Sequence, residues 1–243
     1  MIELFHLLLF DPLYNALVFI LNIHPLIDAG IAVVLLTIAV KFILLPLSVK
    51  AIRTQLLMRK LEEPLKAIRE EYKDKKEQAK KIMALYKEKG VNPFSSILLL
   101  FIQLPIIFAL YWVFFKGGLP DINMDLLYSF IRAPSSVDME FLGLVDVSQR
   151  SIVLALLAGV SQFFQAKLSL PLPPEKTKEP SFKNDLARSF HLQMRYVLPV
   201  IVAVIAYTIS AAVALYWTTS NLFAIGQELL IKRRLEKKEE KHG

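Results

Sequence analysis

The sequence predicts an all-α membrane protein with five transmembrane helices, a cytoplasmic helical hairpin and an N-terminal helix in the outer interface. Three observations predict it. Hydrophobic residues fill 55% of the 243 positions and the mean hydropathy is +0.47, yet 21% of residues are charged, and dense charged blocks alternate with long uncharged runs. The basic blocks fall at alternate connections, as expected when Lys and Arg stay on the cytoplasmic side. Finally, Tyr196–Gln227 contains no charge over a length too great for one crossing.

Residues 1–28 come first. Met1–Phe10 is apolar but carries Glu3 and His6 and lacks the basic start of a signal peptide. Asp11-Pro12 has the form of an N-cap followed by Pro at the first helical position, opening a helix to about Ile23. The charge pattern asks for an odd number of crossings, so this segment is placed in the outer interface, with a sixth span as the competing reading.

Residues 29–47 form the first span, interrupted only by Lys41, and the cytoplasmic hairpin of 48–90 follows. The second span is 91–115, an outer loop covers 116–150, and the third span is 151–170 with Lys167 near its end. A cytoplasmic loop over 171–195 precedes the uncharged run. At 1.5 Å per residue that run would extend about 48 Å, against a hydrocarbon core of about 30 Å. Basic residues decide how it folds. Ser48–Gly90 holds 13 Lys and Arg, Pro171–Met194 four and Ile231–Gly243 six, whereas Met1–Asp28 holds none and Lys116–Gln149 two. Both ends of the run are therefore cytoplasmic, and it crosses twice, as 196–210 and 211–231 meeting near Ser210–Ala212. A basic tail, 232–243, ends the chain. The expected location is a bacterial cytoplasmic (inner) membrane, multi-pass, N-terminus outside and C-terminus inside.

The block 48–90 is rich in Lys, Glu, Gln, Ala and Leu, all good helix formers. Leu57, Leu61, Leu65 and Ile68, then Ile82, Leu85 and Tyr86, recur at near-helical spacing. The polar stretch Tyr72–Gln78 marks the tip, Pro64 bends or restarts the first helix, and Gly90 stops the second. Its charges suit a solvated surface; a docking surface for a nascent chain or a partner is the functional alternative.

Polar groups inside spans carry the chemistry. A lysine at a span's centre costs about 2.5–3.5 kcal/mol on insertion scales. Lys41 lies six residues before Leu47, about 9 Å from the cytoplasmic end. Snorkelling is the plain explanation; against it, Thr37, Lys41 and Ser48 follow helical spacing on one face. Gln103 sits midway through the second span, Gln162, Gln165 and Ser169 line one side of the third, and Tyr216, Trp217, Ser220 and Asn221 cluster in the fifth. Each alone fits interhelical hydrogen bonding, about 0.6 kcal/mol in membrane bundles. No acidic residue falls within the apolar part of any span, Glu228 standing at the cytoplasmic end of the fifth, so a cation there calls for water.

Other chemistries lack their parts. With no cysteine, the chain has no disulfide, thiolate metal site, cysteine nucleophile or lipoprotein anchor. It has no Walker A loop, no HExxH and no paired carboxylates inside the bilayer. Gly159-Val160-Ser161 faintly resembles an intramembrane serine protease motif, but Phe163 stands where that motif continues and none of the four histidines lies in a span. No cofactor or metal is expected.

The stretch Val33–Lys41 followed by Leu45-Pro46-Leu47 resembles the first core span of the YidC family of membrane protein insertases. So do Met83–Lys87, Val91-Asn92-Pro93, Ile102–Ile106, Ala109-Leu110-Tyr111 and Leu215-Tyr216-Trp217 with Ser220-Asn221-Leu222. The match runs in order from roughly Asp11 to Leu235, and the order and spacing together are specific. It is to the short form, without the leading span and large periplasmic domain of many Gram-negative members. The resemblance implies a five-span YidC-like core enclosing a hydrophilic groove open to cytoplasm and lipid and closed outside. It implies that Thr37 and Lys41 match the groove threonine and cation, that Tyr216 and Trp217 match a substrate-contacting aromatic pair, and that Gln103, Gln162 and Gln165 line the groove. Lys41 replaces the family's usual Arg, keeping the charge and losing the planar fork. Ser210-Ala211-Ala212 replaces a common Pro-Ser-Gly turn.

The expected function is insertion and folding of nascent membrane proteins without nucleotide hydrolysis, with the ribosome, the Sec translocon and membrane lipids as partners and no nucleic-acid sequence recognition. The rival is a small-solute transporter or channel with a charged midplane site, which would favour paired repeats and broken helices; no repeat is evident. A passive assembly scaffold is the third reading.

Overall fold

The computed structural model describes residues 2–91, 105–109, 111–113, 119–170 and 188–239. Most of the expected second span, with Gln103, and most of the loop 171–195 lie outside these residues. The chain is mostly helical and divides into two compact units, 1–43 with 103–226 and 44–102 with 227–243. Three helices are long and apolar enough to cross a membrane: Glu3–Leu21 (α1), Ile152–Ser169 (α6) and Arg188–Ile209 (α7). A fourth candidate is the broken pair Ala29–Ile43 (α2) and Leu45–Lys60 (α3).

Prolines explain several helix irregularities. Pro46 in the first turn of α3 cannot donate, and its ring excludes the carbonyl of Phe42, so the helix breaks at Leu44. Pro64 acts on Lys60 in the same way; the chain turns at Leu61 and restarts as Glu62–Glu71 (α4). Elsewhere a proline is absorbed. Asp11-Pro12, expected to open a helix, lies inside α1, whose backbone is helical at Phe10 and Asp11. A π-turn over His6–Phe10 precedes it, and a second over Gln193–Val197 precedes Pro199 in α7. The wider turn makes room for a ring that an α-turn would reject.

In the first unit, α1 buries Phe10, Tyr14, Leu17 and Val18, and packs on α2. The helix α6 packs on α7 at Gly159, where a methyl group would stand 2.9 Å from Ala203 Cβ and 3.0 Å from the Pro199 carbonyl oxygen. Small residues thus bring the two backbones together. After Ile209, Ser210 is extended, and a long helix, Ala211–Glu239 (α8), begins. Its first turns, Ala211 through Tyr216, are all buried.

The loop from 119 to 150 holds these helix ends. It contains a two-stranded antiparallel hairpin, Glu140–Phe141 (β1) with Val145–Asp146 (β2). Val147 and Gln149 carbonyls accept from Ala212 N (2.9 Å) and Ala211 N (2.7 Å), satisfying the orphan donors that start α8. The Asp138 carbonyl accepts from Ala29 N at 2.8 Å. Asp28 caps α2 through Oδ1 to Ile31 N (2.7 Å) and holds the hairpin through Oδ2 to Leu142 N (3.0 Å). The Phe141 ring lies against Gly30, where any Cβ would overlap it. On α1, Asn15 donates to the Leu126 carbonyl (2.9 Å) and accepts from Tyr128 N (2.7 Å), while Asn22 donates to the Arg132 carbonyl (2.7 Å) and Tyr14 Oη accepts from Asn123 N (2.9 Å).

In the second unit, α4 and Lys75–Glu88 (α5) lie antiparallel around Leu61, Leu65 and Val91, with Met58, Ile82, Leu85 and Tyr86 packed outside. Asp74 caps α5, Gln78 donates to the Arg69 and Tyr72 carbonyls at the end of α4, and Gly90 at φ 63° ends α5. Burial raises the Tyr86 phenol above its ordinary pKa, and the Arg69 charge opposes this.

Candidate functional site

Apart from Gln103 and Ser48, the polar residues singled out from the sequence fall on three helices of the first unit. Thr37 is buried on α2, and its hydroxyl donates to the Val33 carbonyl at 2.6 Å, one turn back. Lys41 follows one turn later and is half-buried. Beside it, Phe42 meets Phe223 of α8 edge to face at 5.4 Å, which sets the end of α2 against α8.

On α8, Tyr216, Ser220 and Asn221 are buried and Trp217 is half-buried. Asn221 Nδ2 donates to Ser161 Oγ on α6 at 3.1 Å, and Ser161 itself donates to the Ala158 carbonyl at 2.9 Å. From there a ladder descends α6: Gln162 Nε2 to Gln165 Oε1 (3.4 Å), then Gln165 Nε2 to Ser169 Oγ (3.1 Å). The structure therefore brings Ser161 and Asn221 together, links Gln162, Gln165 and Ser169 along α6, and puts Thr37 and Lys41 on α2, which meets α8 at Phe42. Gln103 falls outside the described residues.

The loop 119–150 holds the starts of α2 and α8 and leads into the start of α6. Counted along each helix from its start at this loop, most of these groups fall at similar distances. At 1.5 Å rise per residue, Thr37 and Lys41 lie about 12 and 18 Å below Ala29. Ser161, Gln162 and Gln165 lie about 14, 15 and 20 Å below Ile152, and Tyr216, Ser220 and Asn221 about 8, 14 and 15 Å below Ala211. The 3.1 Å Asn221–Ser161 bond fixes the register of two of the three counts independently.

Two partners were hidden from the sequence. The sequence suggests only a nucleophile's role for Ser161; its structural use is as the acceptor for Asn221. Helical spacing puts Ser48 on a stripe with Thr37 and Lys41, but the helix breaks at Leu44, so that periodicity does not reach it. Ser48 instead accepts from Gln227 Nε2 at 2.6 Å within the second unit. Among the described residues no cluster of His, Cys, Asp and Glu could hold a metal ion.

The Asn221–Ser161 bond has a measurable consequence. Asn221→Ala and Ser161→Ala should each lower stability, and the double variant should lose little more than either single one. The expected coupling is about 0.6–1.7 kcal/mol, the range for hydrogen bonds in membrane bundles. A double-mutant cycle on reversible unfolding in mixed micelles measures it; strict additivity would show that the pair contributes nothing.

Comparison with known proteins gives a consistent picture. The family model described as 60Kd inner membrane protein matches residues 21–239. Two relatives named Membrane protein insertase YidC, from Francisella tularensis subsp. novicida (strain U112) and subsp. tularensis (strain WY96-3418), are each 34% identical over 218 residues, covering 88% of this chain and 34% of theirs. The chain spans about a third of the length of these curated relatives.

Proposed function

The chain belongs to the 60Kd inner membrane protein family, and on that premise we propose that it is a membrane protein insertase of a bacterial cytoplasmic membrane. It moves short polar tails of nascent membrane proteins across the bilayer and releases their apolar helices into lipid. The observation that carries this is the polar layer. Thr37, Ser161, Gln162, Ser220 and Asn221 are buried on three helices, about 12–15 Å along each from its start, with Lys41 about one turn further. In a hydrocarbon core of about 30 Å, that depth runs from the middle into the cytoplasmic half. Polar groups there are supported by water entering from the cytoplasm.

The outer side is different in kind. The loop 119–150 is hydrogen-bonded to Asp28, Ala29, Ala211 and Ala212, which supports a groove closed outside. Asn15 and Asn22 on α1 bind backbone of the same loop, one in the middle of that helix and one at its end. A loop backbone belongs at the aqueous boundary rather than among acyl chains, which supports the interfacial placement of α1 over a sixth span. The five-span arrangement, with 211–231 as the last span and the N-terminus outside, rests on this and on the charge pattern.

Such a layer lowers a physical barrier and makes no bonds. A wet, cation-bearing pocket through half the thickness shortens the dry path of a polar tail. The membrane potential adds about 2.3 kcal/mol per charge per 100 mV, drawing an acidic tail outward. Partitioning of the client's apolar helix supplies the remaining drive without nucleotide. The resemblance assigns Tyr216 and Trp217 to client contact and Gln103 to the groove; of the aromatic pair, Trp217 is half-exposed and Tyr216 is buried in the chain's own packing. The exposed Lys232, Arg233, Arg234 and Lys237 suit anionic headgroups or ribosomal RNA, and delivery by the ribosome or beside the Sec translocon fits this basic face.

Reconstitution into liposomes with a single-span test protein is the direct test. Protease protection of the tail should appear only in proteoliposomes. Uptake of small solutes without tail protection would replace this function by transport, and crosslinking of the client at Trp217 without protection would reduce it to a scaffold.

A further inference from the structure

The tip of the outer hairpin breaks the usual chemistry of its turn. Leu142 and Gly143 both have positive φ, 55° and 68°, between β1 and β2. Such turns normally carry Asn, Asp or Gly, because a side chain with branched bulk is disfavoured in the left-handed region. Here Leu142 occupies the position and Leu144 follows it. They are 60% and 82% exposed, the latter the most exposed large hydrophobic residue among those described. The hairpin is not loose: Asp28 Oδ2 accepts from Leu142 N, Phe141 is wedged on Gly30, and Val147 N donates to the Met139 carbonyl. The fold thus uses a buried carboxylate and a close glycine contact to hold two leucines outward.

Their height is set by what holds them. Asp28 and Ala29 begin α2, and the strand β2 leads through Val147 to Ile152, the first residue of α6. The 18 residues of α6 rise about 27 Å, just under a hydrocarbon core of about 30 Å, so its first turn marks the outer border of that core. Ile152 and Val153 there are exposed apolar residues. Asp138, Glu140 and Asp146 flank the base of the hairpin and use their oxygens or main chain in local turns, as with Asp146 Oδ1 and Ser148. They mark an aqueous rim two to four residues from the tip. Two side chains are too small a surface for a stable protein partner, which buries about 1,200–2,000 Å² in total.

We propose that the Leu142–Leu144 tip is a membrane-dipping anchor that seats the outer loop in the headgroup–acyl boundary of the outer leaflet. It rests on the placement of the neighbouring helices as spans. The occupant is lipid, taken up by its apolar boundary and not by charge, since the flanking groups are acidic. Seated there, the tip keeps the loop that ties α2 and α8 from lifting off the bundle.

The cysteine-free sequence makes the test clean. Three single-cysteine variants of the full chain, Leu144→Cys, Ser135→Cys and Leu157→Cys, are spin-labelled in nanodiscs of zwitterionic lipid. Collision with oxygen, enriched in lipid, is compared with collision with a water-soluble nickel chelate. Leu157, exposed on α6, reports the span, and Ser135, exposed on the outer loop, reports water. The expected result is an oxygen-to-nickel ratio at Leu144→Cys several-fold above that at Ser135→Cys and below that at Leu157→Cys. A ratio equal to that at Ser135→Cys, with Leu157→Cys still lipid-exposed, would overturn the anchor alone. Shielding of Leu144→Cys from both reagents would assign the tip to protein contact and overturn it equally. If Leu157→Cys also read as aqueous, the spans themselves would be misplaced.

Discussion

Replacing Lys41 by alanine is expected to reduce insertion of clients with acidic translocated tails by roughly thirty-fold, while clients with neutral tails change little. The size follows from Coulomb's law. A carboxylate about 8 Å from the ammonium, at an effective dielectric of about 20, gains about 2 kcal/mol. That energy is present while the tail occupies the polar layer and absent when it is in water, so it lowers the barrier and not merely the end state. Lys41→Arg should retain activity, since the charge is kept at the same depth on α2, although the guanidinium offers planar paired donors where the amine is a point charge. Lys41→Glu should invert the preference, favouring tails with basic residues. The check is protease protection in proteoliposomes with matched clients differing only in tail charge. Equal losses for acidic and neutral tails would mean that Lys41 supports the bundle and does not attract the client. Because the site is partly screened from bulk salt, the difference should persist at physiological ionic strength.

How far the sequence leads depends on whether a feature is local or long-range. Apolar runs and prolines are local, and they mark α2, α6, the restart after Leu61 and the two helices of the 48–90 block, whereas the expected span 29–47 runs straight through the break that Pro46 makes at Leu44. The joint at Ser210 carries no Gly or Pro. It became visible only by counting basic flanks, and the structure gives its physical support: loop carbonyls of Val147 and Gln149 take the first donors of α8. Asp11-Pro12 misled because a local signature for a helix start was absorbed by a π-turn one residue upstream. Site residues follow the same division. Helical spacing puts Gln162, Gln165 and Ser169 on one face of α6, and they do bond in series. Spacing cannot name partners on other helices, so the pairing of Asn221 with Ser161 was out of reach. So was the role of Asp28, whose second partner, Leu142, is 114 positions away.

Asp28 accordingly carries the second large expectation: Asp28→Ala should destabilise the chain by about 3 kcal/mol and free the loop 119–150 from the start of α2. Asp28 is buried, and its two carboxylate oxygens serve two elements at once, the first turn of α2 and the hairpin. Loss of a helix cap accounts for about 1 kcal/mol, and loss of a hydrogen bond to a charged acceptor, leaving the Leu142 N–H without its partner, for about 2 kcal/mol. Asp28→Asn keeps one acceptor and should fall between the two. Asp125→Ala, an exposed acid in the same loop, should change nothing measurable. Thermal unfolding in nanodiscs reads the stability, and limited proteolysis from the outer side reads the loop. The two readouts separate the roles of the residue. A cap alone would lower the melting temperature and leave the loop protected, because Phe141 would still sit on Gly30. A clamp between α2 and the hairpin would do both, and would also let solutes leak through a polar layer that lies only about 12 Å beneath the ends the loop ties down. The leak is the decisive quantity: under the proposed function a tail must pass while ions are held back, and in this chain one carboxylate joins the helix bearing Lys41 to the loop 119–150.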